Sequence, residues 1–291
     1  MRIQIVGLAA FLFAAGCVGQ SSSLSDWPKL LEKKDTKAAR ELCTRFAGST
    51  ELAKKVEAQK CLANVALSGN EVILVEANAA NGPLQKGYKP GAVDEALVHL
   101  NLALKLAPQD LAVHQDRLHV LEMGGRYSDM PKTLEESCTI YKGKAAPDAW
   151  LGYAPELNQL GQFDTALEFM KVLDKHYPNT PDIVANIGAF LSLLKREKEA
   201  IPYLKKAAEL APKDPINAWD LARAYDLDDQ IKSADKWYQA ALALRSDQKQ
   251  HRESACIYAQ FVELRLKQRN RACQLEKADC PHEAQTACKS K

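Results

Sequence analysis

A 34-residue period is the feature that most constrains how this chain of 291 residues can fold. Small residues recur in one register at two positions of the repeat, occupied by Ala154, Gly188 and Ala222 and by Ala166, Ala200 and Ala234. A fixed period of this size is typical of helix pairs that cannot bury their apolar faces alone and therefore stack into a superhelix. Such arrays usually hold another molecule, so the pattern favours a binding protein over an enzyme.

The N-terminal segment has the layout of an export signal. Arg2 precedes an apolar stretch over 3–13, which is too short for a dedicated transmembrane helix. The sequence Phe-Ala-Ala-Gly-Cys that ends at Cys17 resembles the bacterial lipoprotein box, in which the cysteine is lipidated and becomes the first mature residue. The resemblance implies a signal peptide over 1–16 and a lipidated Cys17 with its tether over 17–24. An ordinary signal peptide cut nearby is the alternative.

The residue after Cys17 bears on the destination of the chain. Val18 stands where enterobacterial lipoproteins carry Asp as an inner-membrane retention signal, so the resemblance favours the outer membrane, with the body facing the periplasm. Several acyl chains on one cysteine anchor a protein far better than a single chain does. A soluble periplasmic or extracellular protein is the alternative. After the signal, no segment reaches about 18 consecutive apolar residues.

The charge balance argues against nucleic acid as a partner. Lys and Arg total 39 and Asp and Glu total 37, giving a net charge of +2. Loss of the signal peptide removes Arg2 and lowers that charge further. Nucleic-acid-binding proteins instead carry a clear basic excess or patch. Length and composition suit one elongated helical body or two small domains.

The body of the chain divides into four predicted segments. They are N-terminal helices over 25–80, a linker loop over 81–91, a helical array over 92–246, and a C-terminal capping helix with a cysteine-rich tail over 247–291. The best repeats within the array are 147–180, 181–214 and 215–246. The stretch 72–75 is β-prone by itself, but its surroundings are helical, and we interpret it as a buried turn of helix. We predict one final helix from about Gln248 to Lys277.

The order of small and large positions resembles the tetratricopeptide repeat family. That family places small residues at positions 8, 20 and 27, apolar or aromatic residues at 4, 11 and 24, and Pro at 32. The three best repeats follow this order and end at Pro178, Pro212 and, in place of proline, Ser246. The resemblance implies an all-α fold, a right-handed superhelix (α-solenoid) of tetratricopeptide-like helix pairs with extra N- and C-terminal helices.

The family resemblance also implies a partner-binding face. In such arrays the first helix of each pair lines the concave surface through positions 2, 5, 9, 12 and 13. Carried onto this sequence, the candidates are Gln115, His119, Glu122, Leu151, Asn158, Gln159, Trp219, Arg223 and Asp226. A groove of this kind suits an extended peptide or a partner helix, and Trp and Arg are enriched at binding hot spots. The alternative is that Trp219 packs under the neighbouring helix and Arg223 pairs with Asp226 or Glu209.

The cysteines suggest cross-links, because an exported chain passes through an oxidising compartment. Cys43 and Cys61 lie on either side of a predicted turn at 47–50 and could staple that helix hairpin. Cys273 and Cys288 flank a second turn and could approach within the roughly 4.4–6.8 Å between Cα atoms that a disulfide needs. We place Cys256 outside this cluster, because about 17 helical residues, rising roughly 1.5 Å each, separate it from Cys273.

The cysteines outside these two pairs could remain as free thiols or contribute to a metal site. An odd number of cysteines after Cys17 leaves at least one thiol free, and we expect it to be Cys138 or Cys256. A zinc site built from Cys273, Cys280, His282 and Cys288 would have a spacing that matches no standard pattern. We therefore expect no metal and no cofactor.

These patterns lead to one functional prediction with two alternatives. We predict an outer-membrane lipoprotein that faces the periplasm and acts as a scaffold or assembly factor for another envelope protein or peptide segment. A chaperone-like carrier of envelope clients is the alternative, and a redox or metal-binding factor that uses the C-terminal cysteines is less favoured. We assign no catalytic residue, since the chain has no Gly-x-Ser-x-Gly or Cys-x-x-Cys motif.

Overall fold

The computed structural model of the chain describes residues 23–74, 85–141, 147–244, 248–280 and 287–288. Helices dominate these ranges, in the order α1 (Trp27–Glu32), α2 (Thr36–Ala47), α3 (Leu52–Leu67), α4 (Pro90–Leu106), α5 (Leu111–Met123), α6 (Met130–Tyr141), α7 (Asp148–Leu151), α8 (Tyr153–Gln159), α9 (Phe163–His176), α10 (Pro181–Leu193), α11 (Glu197–Leu210), α12 (Pro215–Leu227), α13 (Ile231–Leu244), α14 (Gln248–Leu264) and α15 (Arg269–Asp279). Two 3-10 turns, Leu24–Asp26 and Tyr127–Asp129, and two strands, β1 (Glu71–Leu74) and β2 (Gln85–Tyr88), complete the described elements. The lipoprotein box at Cys17 lies outside these ranges.

Consecutive helices pack as pairs, and the pairs stack into an all-α solenoid. We call the first helix of each pair helix A and the second helix B. In the pair α10–α11, Gly188 of helix A lies so close to helix B that an added Cβ would sit 2.5 Å from Leu204 Cγ. Ala200 and Ala207 on the facing helix are also fully buried. The small positions of the repeat therefore let the two backbones approach, as the period predicts.

The pair before α10 has a broken helix A, because α7 and α8 meet at Gly152. Pro155 contributes to this break, since it lacks the N–H that would bond to the carbonyl of residue 151. The apolar spacing survives the break, and Trp150, Ala154 and Leu157 remain buried against α9. The break changes the path of this helix without removing it from the core.

A β-hairpin interrupts the earlier pair, α3–α4. The strands are antiparallel, with Glu71 opposite Tyr88. The prediction of a helical turn at 72–75 is wrong for the described part of that stretch: α3 ends at Leu67, and Gly69 follows with φ of 74°. A glycine in this left-handed conformation ends a helix, and the β-prone residues then pair with β2. The predicted linker at 81–91 thus falls inside a helix pair.

The prediction of one long final helix from Gln248 to Lys277 is also wrong. The segment divides into α14 and α15, which fold against each other. Lys267, in the connection, has φ of 58°, and this left-handed conformation reverses the chain. No glycine or proline marks the turn in the sequence. The buried residues Ala255, Ala259 and Val262 repeat the spacing of Trp150, Ala154 and Leu157, so α14–α15 is a further repeat-like pair.

Among the helices of the described ranges, none combines the length and apolar character needed to cross a membrane.

Candidate protein-binding face

A pocket of about 310 Å³ lies between α5 and α7–α8, where the family resemblance predicts the N-terminal half of the concave face. We call it the acidic pocket, and its lining residues are Gln115, Asp116, His119, Glu122, Ala149, Gly152, Tyr153 and Glu156. Three of the predicted binding residues, Gln115, His119 and Glu122, therefore share one site. The pocket draws its carboxylates from two helices of neighbouring pairs.

Two hydrogen bonds fix the walls of the acidic pocket. The Gln115 side-chain amide donates to the Ala149 carbonyl oxygen at 3.1 Å. The Tyr153 hydroxyl donates to the Gln115 carbonyl oxygen at 3.0 Å. Because these bonds join α5 to both α7 and α8, they hold the two sides of the pocket at a set separation.

The carboxylates of the acidic pocket are close enough to affect one another. The Glu122 side chain is only 7% exposed, and its Oε2 lies 3.5 Å from His119 Nδ1. The hydrogen bond with Glu122 raises the pKa of His119. Desolvation, reinforced by a hydrogen bond with Glu122, raises the pKa of Glu156 to about 7. Burial likewise raises the pKa of Asp116. Negative charge is thus crowded here, and a cation entering the pocket would be stabilised.

Exposed leucines occupy one repeated position at the ends of the later helices A, where the family resemblance predicts the C-terminal half of the concave face. Leu193, Leu227 and Leu264 end α10, α12 and α14, and they are 44%, 54% and 63% exposed. Leu193 and Leu264 lie two residues after the buried residues Leu191 and Val262, and Leu227 follows Leu193 by one 34-residue period. We call them the leucine row. Equivalent positions of stacked repeats follow one another along the solenoid, so the three leucines lie along one side of the array.

The structure separates the predicted residues on α12. Trp219 is 8% exposed and packs edge-to-face on Tyr238, with ring centroids 4.7 Å apart. The Arg223 side chain is 59% exposed and lies 3.9 Å from Asp220 Oδ1. Asp226 instead accepts a hydrogen bond from Arg265 Nε at 2.8 Å. Trp219 therefore belongs to the core, Arg223 faces solvent, and Arg265 fixes Asp226 to the connection after α14.

The remaining predicted contacts lie on α7 and α8. Asn158 and Gln159 are exposed at the end of α8, beyond the acidic pocket. Leu151 is partly buried and packs against the main core. Asn158 and Gln159 thus offer polar surface, and Leu151 contributes mainly to packing.

The described cysteines form three disulfides. Cys43 bonds Cys61, with Cα atoms 6.0 Å apart, and Cys273 bonds Cys288 at 4.7 Å. Cys256 bonds Cys280, with Cα atoms 5.4 Å apart, so the prediction that Cys256 lies outside the C-terminal cluster is wrong. That prediction assumed a continuous helix, whereas the reversal between α14 and α15 returns the chain towards Cys256.

Two further groups complete the chemistry of the cysteine-rich regions. Cys138 is buried and free, and burial raises the pKa of its thiol to about 12, so it is an unreactive core residue.

Glu276 is almost fully buried and accepts hydrogen bonds from the backbone N–H groups of Ala287 and Cys288, at 2.9 and 3.3 Å. Within the described ranges no cluster of three or more His, Cys, Asp and Glu residues is placed to hold a metal ion.

Sequence reasoning missed part of this face. Asp116 and Glu156 fall outside the family's concave positions, which assume an unbroken helix A. Glu156 follows the break between α7 and α8, and the Gly152 and Pro155 signals indicate only that a break is present. Leu264 was missed because its helix was predicted to continue beyond it. Leu264 lies 37 residues after Leu227, so the 34-residue register does not reach it, and only the pattern of buried residues on α14 aligns it with Leu193 and Leu227.

Comparison with known proteins supports the repeat assignment. A tetratricopeptide repeat family model matches residues 181–214, which correspond to α10 and α11. The C-terminal part of a TPR repeat-containing protein from Cytophaga hutchinsonii superposes with a TM-score of 0.52 at 13% identity, over 92% of this chain and 100% of that one. No curated protein matches the chain in sequence.

Two other solved structures are similar over shorter spans. A MamA fragment from Desulfovibrio magneticus RS-1, beginning at its residue 41, has a TM-score of 0.47 at 20% identity and covers 62% of this chain and 97% of that one. YrrB, described as a TPR protein with an unusual peptide-binding site, has a TM-score of 0.40 at 13% identity, over 77% and 95%. At such identities the Cytophaga structure establishes the fold alone.

Proposed function

We propose that this chain, whose residues 181–214 match a tetratricopeptide repeat family model and which has the fold of such repeats, is a scaffold that binds a segment of another envelope protein along its concave face. Helix pairs of this kind present a continuous surface made from several repeats. The partner would be held by side chains that project from helix A of successive pairs.

The leucine row is the observation that carries this proposal. Three large apolar side chains occupy the same position in three consecutive pairs and remain exposed. Single exposed leucines are ordinary, but exposed apolar side chains that recur at one position of successive repeats favour an interaction site. The row adjoins a face that also carries the acidic pocket, so apolar and polar contacts are available to one partner.

Location forms the second part of the proposal. We propose that Cys17 is lipidated and tethers the solenoid to the outer membrane, facing the periplasm. The three disulfides support export, because such bonds persist in oxidising compartments. A Cys17→Ser variant should move from the membrane fraction to the soluble fraction. Membrane retention of that variant would contradict a lipid anchor at Cys17.

The binding proposal is tested by affinity capture from an envelope extract. The double variant Leu193→Asn/Leu227→Asn should recover the partner at least about tenfold less than the wild type, because it removes exposed apolar contacts. Val98→Asn is the matched control, since Val98 is an exposed apolar residue on the helix-B side of an earlier pair. Equal recovery by the double variant and the control would contradict binding through the concave face.

A chaperone-like carrier is the second candidate, and the exposed leucine row is the observation that favours it. A carrier would use the row to hold many unfolded clients with little sequence preference. The same capture experiment separates the two functions. A scaffold recovers a small, reproducible set of proteins, whereas a carrier recovers a broad set that grows when clients are unfolded by heat.

A further inference from the structure

We propose that the partner segment has two parts: cationic side chains that enter the acidic pocket, and apolar side chains that pack on the leucine row. This inference rests on the proposed function and gives the partner its chemistry. The occupant is an extended segment of a protein that carries Lys or Arg near one end and apolar residues near the other.

Charge on the N-terminal half of the face favours a basic partner. Carboxylates lie at Asp116, Glu122 and Glu156 in the acidic pocket, and Asp148 and Asp182 are exposed near the starts of α7 and α10. Like charges gathered in a partly desolvated site are costly, and an entering cation offsets that repulsion. An acidic partner would add to the repulsion instead.

The cations that face the acidic pocket do not neutralise it. His119 lies 3.5 Å from Glu122 and carries charge only when protonated. Lys60 of α3 acts electrostatically on Asp116, but its Nζ also lies 3.9 Å from Glu57 Oε2. Two basic groups, His119 and Lys60, therefore face the three carboxylates of the pocket. The net charge of the acidic pocket therefore remains negative.

The C-terminal half of the face differs in character. Its main charges are paired at the surface and not gathered in a pocket, since Arg265 bonds both Asp226 and Asp229, at 2.8 and 2.7 Å. Arg223 lies beside Asp220. The exposed apolar side chains of this half are the leucine row and Ile216 at the start of α12. An apolar segment fits here without leaving a buried charge unpaired.

The two halves can be spanned by one short segment. Packed helices lie about 8–10 Å apart, so three helix-A steps from α8 to α14 cover on the order of 30 Å. An extended chain advances at most about 3.3–3.6 Å per residue, so roughly ten residues bridge the distance. A peptide of about twelve residues can therefore contact the acidic pocket and the leucine row together.

The test is selection of a random twelve-residue peptide library, displayed on phage, against the immobilised full-length chain. Four proteins are compared: the wild type, the row variant Leu193→Asn/Leu227→Asn/Leu264→Asn, the pocket variant Asp116→Asn/Glu156→Gln, and the control Val98→Asn/Leu102→Asn/Ile140→Asn. The control removes three exposed apolar residues from helices α4 and α6. Circular dichroism and thermal melts verify that each protein is folded before selection.

The expected result has two separate parts. The wild type and the control enrich peptides that are basic at one end and apolar at the other, at least about tenfold over the row variant. The pocket variant keeps the apolar preference and loses the excess of Lys and Arg. A synthetic peptide from the enriched set should then bind about tenfold more weakly when its Lys and Arg residues are replaced by Glu, as measured by fluorescence anisotropy.

The contrary results distinguish this inference from the proposed function. If the wild type enriches acidic or uncharged peptides that the row variant does not, the face binds but the basic partner is wrong. If the pocket variant keeps the Lys and Arg excess, the acidic pocket is not the cation site. If the wild type enriches nothing over the row variant, the proposed function itself fails. Concentration-dependent dimerisation that the row variant abolishes would assign the row to a second copy and overturn the inference.

Discussion

The middle of the solenoid and its two ends are stabilised in different ways. In the middle, the pairs α10–α11 and α12–α13 pack through small residues, and residues 147–244 contain no cysteine. At the N-terminal end, Cys43–Cys61 joins α2 to α3. At the C-terminal end, Cys256–Cys280 joins α14 to the residue after α15, and Cys273–Cys288 joins α15 to the tail.

The difference follows from the geometry of a stacked array. An internal pair buries both of its faces against neighbours, whereas a terminal pair has one neighbour and buries less apolar surface. A disulfide offsets this deficit mainly by restricting the unfolded chain. The bonded cysteines are 18, 24 and 15 residues apart, so each cross-link closes a short local loop within one end. Packing thus holds the middle and covalent bonds reinforce the ends.

The largest expected effect is in the middle, at Trp150. This side chain is fully buried at the centre of the main core cluster. Trp150→Ala should lower the free energy of unfolding by about 3–5 kcal/mol, because it removes apolar contacts and leaves a cavity. Urea denaturation followed by circular dichroism measures the change. The exposed Val98→Ala is the control, and a cost for Trp150→Ala as small as the control's would break the comparison.

The next effect concerns the ends. Reduction should cost each end about 2–4 kcal/mol of local stability. Amide hydrogen exchange in α2–α3 and α14–α15 should therefore accelerate by tens to hundreds of times, while exchange in α10–α13 stays unchanged. The double variant Cys256→Ser/Cys280→Ser should reproduce the C-terminal part without a reductant. Equal acceleration in the middle would show that the whole array unfolds as one unit and that the ends have no separate support.

A smaller effect tests the close approach within a middle pair. Gly188→Ala places a methyl group against Leu204 Cγ and should cost about 1–3 kcal/mol through overpacking. Gly91→Ala is the matched control, since it is also helical and an added Cβ there would meet nothing within 4 Å. Combining Gly188→Ala with Leu204→Ala should recover part of the loss attributed to the clash. An additive double variant would mean that the two residues do not contact in solution.

The smallest effect belongs to the acidic pocket, which lies between the cross-linked N-terminal end and the middle. The folded-state pKa of Glu156, raised to about 7, lies above its ordinary value. Its contribution to stability is therefore present at acidic pH and is lost as pH rises through about 7. Glu156→Gln mimics the protonated form and does not lose this contribution. The difference in melting temperature between the variant and the wild type should therefore shift in favour of the variant from pH 5 to pH 8. The corresponding change in the free energy of unfolding should be less than about 1 kcal/mol.

Asp116→Asn is a second variant in the same pocket, and the exposed Glu199→Gln on α11 is the control outside it. Thermal melts across the pH range compare the three variants with the wild type. Because burial also raises the pKa of Asp116, its variant should follow Glu156→Gln in direction. A relative melting temperature for Glu156→Gln that does not change with pH would show that Glu156 ionises normally.

The residues of the pair α10–α11 illustrate how far the sequence predicts the fold. Gly188, Ala200 and Leu204 recur in register with their equivalents, and the structure buries all three in one helix pair. The same reasoning failed at 72–74, which form part of β1, and at 265–268, where the predicted long helix is interrupted. One residue with a left-handed backbone conformation accounts for each error: Gly69 follows the end of α3, and Lys267 reverses the chain after α14. The Lys267 reversal carries no sequence signal, because lysine adopts that conformation only when its surroundings impose it.

The candidate face was predictable only where its residues lie on one helix. Gln115, His119 and Glu122 lie four and three residues apart, so helical periodicity alone placed them together. Their partner Glu156 comes from another helix, and the distance between them depends on how α5 packs against the broken helix α7–α8. Trp219 shows the opposite error: the family position suggested a contact surface, and its packing on Tyr238 buried it.

The sequence by itself therefore determined the unit of this protein: a helix pair with small residues where the helices meet, and two cysteine pairs near the ends of the chain. These properties depend on periodicity and composition, which act over a few turns of one helix. The tertiary structure alone decided that Cys256 meets Cys280, that the carboxylates of α5 and α8 share a pocket, and that Leu264 continues the leucine row. Each of these depends on the path of the chain between helices, where one backbone conformation changes every later contact.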